Sequence, residues 1–410
     1  MKRSNLFATI SKEKEAGLEC RSAELMVKAG LVKNFGSGTW SYTHLGKKVL
    51  DNIETAVREE MDEIAQEVKM HQLQTSEIWK QSGRWKNFEG DEFFTLENRE
   101  GKEFTIAATH EEAATVLAKE QIRSYRDLDL TIYQIGRKFR DDHARKGLLR
   151  AKEFIMKDAY SFHRSQEGLN QKYSDFLKAY RRIFNKLGLE YTEVEADNGD
   201  MGGKRSHEFL AHSEEGSDTY LTCTERSCNY GTKQMEEEKC GKCGSNLEKV
   251  SGIEIGHCFQ LGDRYSQKDS IGLTYTSKDG EKKEVMMASY GIGISRLISA
   301  IIEQNNDENG IKWNSTVSAF ETAVITARHE EQVKEKAEEI REALDSKDTL
   351  FYDDEQSVGE QFAEADLIGV NRKIILGNNY LENGKIEIED RNGDNRQLEG
   401  LEELEEVITS

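Results

Sequence analysis

The stretch Tyr133–His163, YQIGRKFRDDHARKGLLRAKEFIMKDAYSFH, decides how the rest of the chain is read. Its first half is basic: from Arg137 to Lys157 stand eight Lys or Arg against three Asp or Glu, in a chain of formal net charge -20. Arg140 and Arg150 flank a segment with Lys146 and Gly147 at its middle. That is the pattern of two strands joined by a loop, aiming two guanidinium groups at one ligand. Arginine suits phosphate because its planar fork makes bidentate, charge-assisted bonds. The alternative is a solvated basic hairpin.

In the second half, Phe154, Met156, Asp158, Tyr160 and Phe162 occupy every second position, and a strand turns all of them to one face. One acid among apolar and aromatic groups describes a small pocket with a charged recognition point for a cationic substrate group. It equally describes a core strand whose Asp158 is paired with a structural Arg or Lys. Phe154, beyond Arg150, is placed to stack on a base.

A chain of 410 residues has room for two or three domains, each with a core. It contains no run of about 18 apolar residues, which excludes a membrane-spanning helix. The opening MKRSNLFATISKEKEAG lacks the apolar stretch of a signal peptide, so the cytoplasm is the expected location. Six cysteines in such a chain point to free thiols or metal ligands rather than disulfides. Proline is absent altogether, where usage of about 5% would supply roughly 20. Without turn prolines the unfolded chain keeps more freedom, at ~0.4–1 kcal/mol per compatible site.

Other segments carry local signals. A helix is expected to end near Gly30, followed by a Gly-rich hairpin over Phe35–Trp40, and the spacing of apolar residues from Lys47 to Met70 predicts one amphipathic helix. Thr109 and Glu112 have capping-box spacing, which leaves Glu111 unexplained. Gly199–Phe209 reads as a glycine-rich loop before an alternating strand. Cys223, Cys228, Cys240 and Cys243 run C-x4-C, eleven residues, C-x2-C. Two close thiolate pairs suit tetrahedral zinc; four reduced, unliganded cysteines are the other reading. Gly291 and Gly293 permit close backbone approach at a strand-to-helix junction, with Arg296 in the first turn of the helix. Beyond a boundary near Trp313–Ala319, strands and helices alternate as in a small α/β domain with parallel pairing. From Glu321 onward there are 25 acidic and 10 basic residues. Nucleic-acid binding by such a domain needs a local basic face, for which Arg372, Lys373 and Lys385 are the candidates.

FRDDHARKGLLRAKEF resembles motif 2 of class II aminoacyl-tRNA synthetases, and KEFIMKDAYSFH resembles its version in bacterial-type prolyl-tRNA synthetases. SEIWKQSGRWKNF, THEE at Thr109–Glu112, GDMGGKRSHEF, SGIEIGHCFQLG and VMMASYGIGISR extend the resemblance in order over nearly the whole chain. Departures from the pattern are Asp142 where the family has glutamate, His71, Ala108 and Ala144 at or beside usual prolines, and the direct joining of the cysteine pairs. The short segment 221–250 thus stands where many relatives carry an editing domain.

The resemblance implies an α/β protein. Residues 1–315 would form an α+β catalytic domain, a mixed and mainly antiparallel sheet flanked by helices; 316–410 would form a smaller α/β anticodon-binding domain. It implies activation of L-proline with ATP and magnesium, with zinc left open, then transfer to tRNA(Pro). The proline carboxylate is itself the nucleophile, so positioning and charge neutralisation at the α-phosphate carry catalysis. By the same resemblance, Arg140 serves the α-phosphate and carboxylate and Arg150 and Arg296 the distal phosphates and adenine. Asp142 serves the adenine side and Phe154 stacks. Thr109, Glu111 and Asp158 receive the ammonium, while Met156, Tyr160, Phe162 and Gly291 shape the ring pocket. A homodimer is implied, without DNA or membrane partners. The rivals are a synthetase of the same class for another amino acid, such as threonine, and a non-catalytic synthetase-like tRNA-binding or regulatory protein.

Overall fold

Alternation along Leu130–Phe139 and Glu153–His163 produces two long antiparallel strands, in register from Leu130↔Phe162 to Phe139↔Glu153. In the computed structural model, which describes residues 1–11, 17–86, 88, 92–196, 205–328, 330–344, 348–353 and 356–409, they lie toward one edge of a nine-stranded sheet. In chain order its members are β1 (Gln66–Glu67), β2 (Leu130–Phe139), β3 (Glu153–His163), β4 (Tyr191–Ala196), β5 (Arg205–His212), β6 (Asp218–Cys223), β7 (Gly231–Thr232), β8 (Leu247–Gly262) and β9 (Met286–Ile292). Their spatial order is β5-β4-β7-β6-β8-β9-β3-β2-β1, with β5 also pairing β8. All pairings are antiparallel except β4 with β7 and β1 with β2, so the mixed, mainly antiparallel sheet expected from the sequence is present.

The two faces of β3 meet different partners. Helix α4 (Gln166–Lys186) buries Tyr173, Phe176, Tyr180 and Phe184, and Phe176 stacks on Tyr290 of β9 at 3.6 Å. On the opposite face, Ala113, Ala114 and Ala118 of helix α3 (Glu111–Gln121) share a core with Tyr160, Phe162, Tyr265 and Met287. Lys157 points toward α4, fully buried, and its Nζ donates to the Tyr180 hydroxyl (2.6 Å) and the Tyr290 carbonyl (3.2 Å). Burial pulls its pKa down to about 7. Between about pH 7 and ~10.4 the unfolded chain therefore binds more protons than the folded one, and stability rises with pH in that window. Lys157→Met is expected to raise the melting temperature by several degrees at pH 7, with the gain shrinking toward pH 10. A variant less stable than the parent at pH 7 would show that the lysine's hydrogen bonds outweigh its desolvation.

The molecule comprises two compact units, one of Gly36–Thr39 with Glu54–Ala300 and the other of Met1–Phe35, Trp40–Ile53 and Ile301–Ser410. Helix α1 (Arg21–Lys28) stops before Gly30 at φ +68°, and the following hairpin pairs Val32–Asn34 with Trp40–Tyr42. Helix α2 spans His44–Asp62, not Lys47–Met70. Past Asp62 the chain joins the sheet edge: β1 pairs with Ile132 and Tyr133, and Val68 N–H donates to the Tyr133 carbonyl at 2.8 Å. Ile64 and Val68 kept helical spacing, yet the open edge of β2 satisfied this backbone instead.

The carboxy-terminal sheet contains β10 (Thr322–Thr326), β11 (Thr349–Phe351), β12 (Arg372–Leu376), β13 (Ile386–Asp390) and β14 (Asn395–Leu398), ordered β11-β10-β12-β13-β14. Only the first three are parallel; β12-β13 and β13-β14 are antiparallel. The short link from β13 to β14 permits a hairpin and no crossover. Helix α6 spans Glu331–Ala343, and helix α7 (Val358–Ile368) begins with a Ser357/Glu360 capping box. The three candidate tRNA-contacting cations each have partners within the fold. Lys373 is buried between Asp366 (2.7 Å) and Glu389 (2.8 Å), Arg372 donates to the Val407 and Ile408 carbonyls, and Lys385 pairs with Glu399 at 2.9 Å. They neutralise acids and close a helix end in the fold itself. Among the described residues no helix is long and apolar enough to cross a membrane.

Candidate active site

A cavity of about 420 Å³ opens between the outer half of β3, strands β8 and β9, the start of α3 and the loop 140–152, a size typical of small-ligand sites. It gathers Thr109, Glu111, Arg140, Asp142, Arg150, Phe154, Met156, Asp158, Tyr160, Gly291 and Arg296 on its wall. Phe162, expected in the ring pocket, is absent from it. It lies one repeat further along β3 than Tyr160, on the same face, and is fully buried in the apolar core with α3. Period two set its face correctly; depth along the strand removed it from the site.

The deep end is polar and already wired. Asp158 does not wait for a substrate cation: its carboxylate accepts from Lys138 Nζ (2.6 Å), Gln134 Nε2 (3.0 Å) and the Tyr160 hydroxyl (2.8 Å). Burial pushes this carboxyl up, but Lys138 and the surrounding donors hold it below the usual range. Asp158 is thus paired as the core reading expects, and it also stands on the cavity wall beside Tyr160. Burial and the adjacent Asp158 charge keep the Tyr160 phenol protonated.

The capping-box reading of Thr109 and Glu112 is also corrected. His110 occupies the N-cap position of α3, and no side chain caps the helix. Thr109 Oγ1 instead donates to Glu111 Oε2 at 2.6 Å, while Glu112 accepts from Ser82 Oγ at 2.6 Å. Both glutamates meet Arg84, whose Nη1 lies 3.2 Å from Glu111 Oε2 and 3.2 Å from Glu112 Oε1. Arg84 is buried over the rings of Trp79, Phe88 and Tyr265. Burial works against the Arg84 charge, but Glu112, Tyr265 and Glu111 more than offset it and hold the guanidinium above its usual range, whereas burial pushes the Glu112 carboxyl up despite Arg84. His110 is held neutral, its pKa lowered to about 4 by burial and then by Lys138. Two buried cations, Arg84 and Lys138, thus face three buried carboxyl groups, Glu111, Glu112 and Asp158. Of the three, Glu111 and Asp158 stand on the cavity wall, where a ligand cation can approach them.

The outer end is cationic. The loop turns at Lys146 and Gly147, both at positive φ (54° and 65°), a geometry that favours glycine. This turn brings Arg140 and Arg150 to the same cavity. Arg140 reaches the Ala108 carbonyl (3.4 Å) and places its guanidinium 5.7 Å from the Phe154 ring. Arg150 is ion-paired with Asp142. Partial burial raises the Asp142 carboxyl, but the Arg150 guanidinium more than compensates, so it remains ionised below the usual range. Arg296, in the first turn of α5 (Ile294–Gln304), donates to the carbonyls of Leu149 (3.0 Å) and Glu254 (2.8 Å). Asp142→Ala is expected to raise the KM for ATP about tenfold, the weight of ~1.4 kcal/mol from one charge-assisted bond that orients Arg150. Asp142→Glu should retain most of the affinity, and an unchanged KM in the alanine variant would show that Arg150 is oriented by other contacts.

Arg84, Phe88, Glu254, His257 and Phe259 also line the cavity without having been singled out from the sequence. His257 and Phe259 stack at 3.6 Å, and Glu254 accepts from His257 Nδ1 at 3.0 Å in the tautomer that protonates it. The isolated Arg84 among Trp79, Trp85 and Phe88 was the one usable signal. Gly256 is required by packing, since a Cβ there would lie 2.9 Å from the Phe184 ring. The predicted glycine-rich loop falls partly on 197–204, outside the described residues; its strand is present as β5. The four candidate zinc ligands, Cys223, Cys228, Cys240 and Cys243, come together with all Sγ atoms within 4.8 Å of one another.

The mainly antiparallel sheet, with its arginine cluster beside a small acid-lined pocket, forms the core of a class II aminoacyl-tRNA synthetase. Residues 94–305 match the family described as tRNA synthetase class II core domain (G, H, P, S and T), and 321–410 match the anticodon binding domain family. The chain belongs to the proline--tRNA ligases of this class. It is 37% identical over 407 residues to the proline--tRNA ligase of Wolbachia sp. subsp. Drosophila simulans, and 36% over 424 residues to that of Sulfurimonas denitrificans, covering 95% of each chain in both pairs. The match to the Halothermothrix orenii enzyme, 31% identical, covers 94% of this chain and 95% of the other. It spans 544 positions, well over the 410 present here. The shorter chain lacks that insertion. The fold is shared with a Giardia lamblia prolyl-tRNA synthetase in complex with prolyl-adenylate (TM-score 0.75, 21% identity, 91% of this chain and 73% of the other). It is also shared with the Cryptosporidium parvum enzyme complexed with halofuginone and AMPPNP (TM-score 0.78, 16% identity, 95% and 76%).

Proposed function

We infer that the chain activates L-proline with ATP to prolyl-adenylate and transfers the prolyl group to the 3′ end of tRNA(Pro). The observation that carries this reading is the polarity of the cavity: a deep end with carboxyl groups on its wall, and an outer end rich in guanidinium groups. A secondary ammonium fits against Glu111 and Thr109, with the Tyr160 ring, Met156 and Gly291 enclosing the apolar ring. The carboxylate then points toward Arg140, where it can attack the α-phosphate of ATP. Arg140 would neutralise charge on the attacked phosphorus, while Arg150 and Arg296 hold the distal phosphates and adenine and Phe154 offers its ring face. Arg150 is pre-oriented by Asp142. No side chain has to act as nucleophile.

Magnesium would neutralise the triphosphate, and zinc is the cation the cysteine cluster suits. Residues 1–315 serve as the catalytic domain and 316–410 as the anticodon reader, in a cytoplasmic homodimer, a state that light scattering of the purified protein tests. The decisive experiment is proline-dependent ATP–pyrophosphate exchange, with alanine, cysteine and threonine for comparison. Exchange with proline well above the others is expected, followed by charging of tRNA(Pro). No exchange with any of them from folded protein, at adequate ATP and magnesium, would reject the reading.

A further inference from the structure

The segment from Cys223 to Asn246 has a small core of its own: among the described residues, Tyr230 and Leu247 are the partly buried hydrophobics packed against its buried cysteines. What it has is sulfur. Cys223 ends β6, Cys228 ends a short turn closed by Asn229 at φ 43°, and Cys240 and Cys243 form a second turn. In that turn the Lys242 and Cys243 N–H groups both point at Cys240 Sγ, at 3.4 Å. The Sγ atoms of Cys223 and Cys243 are 3.4 Å apart and those of Cys228 and Cys240 are 3.6 Å apart. These separations exceed the ~2.05 Å of a disulfide and bracket, with the 4.8 Å limit of the cluster, the ~3.8 Å between sulfurs of a tetrahedral ZnS₄ site with ~2.3 Å bonds.

We propose that these four thiolates bind one structural zinc, and that this centre braces β8 as a wall of the adenylation cavity. Cys223 is in register with Leu247, the first residue of β8, and Thr224 N–H donates to the Asn246 carbonyl at 3.0 Å. Seven residues along the same strand, Glu254 receives Arg296, and Gly256 and His257 face the cavity. The other side of the hairpin holds the arginine loop: Glu215, just before β6, pairs with Lys146 at 2.9 Å. The bracing role rests on the adenylation reading, whereas metal binding does not.

Protein purified without chelator under reducing conditions is expected to hold about one zinc per chain. Cobalt replacement should give thiolate-to-metal charge-transfer bands, and the Cys240→Ser/Cys243→Ser variant should lose both signals. Because that variant could fail to fold, wild-type protein stripped of metal and then refilled provides the second measurement. Stripping is expected to raise the KM for ATP several-fold with a much smaller change in kcat, and zinc to restore it. Metal-free protein without a cobalt charge-transfer band, or a mass showing disulfides instead, would overturn the site. Bound zinc whose removal leaves KM unchanged would overturn the bracing role. Zinc-loaded protein with no proline-dependent exchange would count against the adenylation reading and not against the metal.

A second inference comes from composition. The absence of proline is not imposed by the fold. Gln166 and Val358 are first residues of helices α4 and α7, where proline is favoured, and each follows a serine in extended conformation (Ser165 at φ -148°, ψ 157°; Ser357 at φ -64°, ψ 152°), as a following proline requires. Resting on the adenylation reading, we propose that the missing prolines free the synthesis of this chain from its own product, so that it can be made when prolyl-tRNA is exhausted. A reconstituted translation mixture lacking proline--tRNA ligase activity tests this, programmed with the chain's message and a proline-containing reporter. The parent message should start reporter synthesis. A Gln166→Pro/Val358→Pro variant, matched for exchange activity when made elsewhere, should fail to start it. Equal reporter from both messages would overturn the proposal, whereas a parent protein inactive in exchange would overturn the adenylation reading instead.

Discussion

Arg140→Ala is expected to lower kcat/KM for proline-dependent pyrophosphate exchange by about 10³-fold. The side chain bonds the carbonyl of Ala108, next to Thr109, and lines the same cavity as Arg150 and Arg296, so in the proposed reaction it would stand between the carboxylate and the α-phosphate it attacks. Charge grows on that phosphate in the transition state. Removing one preorganised donor from such a position typically costs ~10²–10³ in rate, and a guanidinium contributes charge as well as two directed hydrogen bonds. Within the fold it also bonds the Ala108 carbonyl at 3.4 Å and meets the rings of Phe88 and Phe154. Arg140→Lys should recover only part of the loss, because a point charge cannot bridge two oxygens in a plane. A near-normal exchange rate in the alanine variant would remove Arg140 from the reaction and turn attention to Arg150 and Arg296.

Arg84→Met should be the most destabilising single change in the site, at ~3–5 kcal/mol, the cost of leaving buried charges without their partner. Both Glu111 and Glu112 would be stranded, and Glu112 is fully buried. Urea unfolding measures the loss. The sign of its pH dependence follows from the carboxyl: burial already pushes Glu112 up, and without Arg84 it rises further. In the folded variant this group then holds a proton that the unfolded chain releases near pH ~4.3, so stability falls as pH rises through that value toward the raised one. The deficit relative to the parent should therefore be smaller at pH 5 than at pH 7. Adding Glu112→Gln should recover much of the stability at pH 7. Proline affinity should not return, because Glu111 would still lack the contact that orients it. If Glu112→Gln restored KM for proline together with stability, Arg84 would be acting on the fold alone.

The arginine pair and the strand face were readable for a local reason. Side chains alternate along a strand whatever surrounds it, and a turn between two strands returns its flanking residues to one end of the hairpin. Phe154, Met156 and Tyr160 therefore reached the cavity with Arg140 and Arg150, as their spacing required. The limits were equally physical. Phe162 obeys the same alternation, but only the position of α3 over the sheet decides which part of that face is core. Thr109 and Glu112 have the spacing of a cap, and the same spacing serves a helix start that is buried and wired to a distant arginine.

By itself, then, the order of residues determined the β2–β3 hairpin, the cationic loop, the junction at Gly291–Arg296 and the cysteine spacing, all of which depend on stereochemistry within a few residues. Tertiary structure alone decided who neutralises whom. Lys138 reaches Asp158 because β2 and β3 pair in the register that sets Gln134 opposite Asp158, and Arg84 reaches Glu111 and Glu112 across 27 and 28 residues of chain. A buried charge takes whichever partner the completed fold brings within about 3 Å, since desolvation penalises every arrangement that leaves it alone. That condition is not written in sequence spacing, and it is the one that makes the deep end of this cavity a site for a cation.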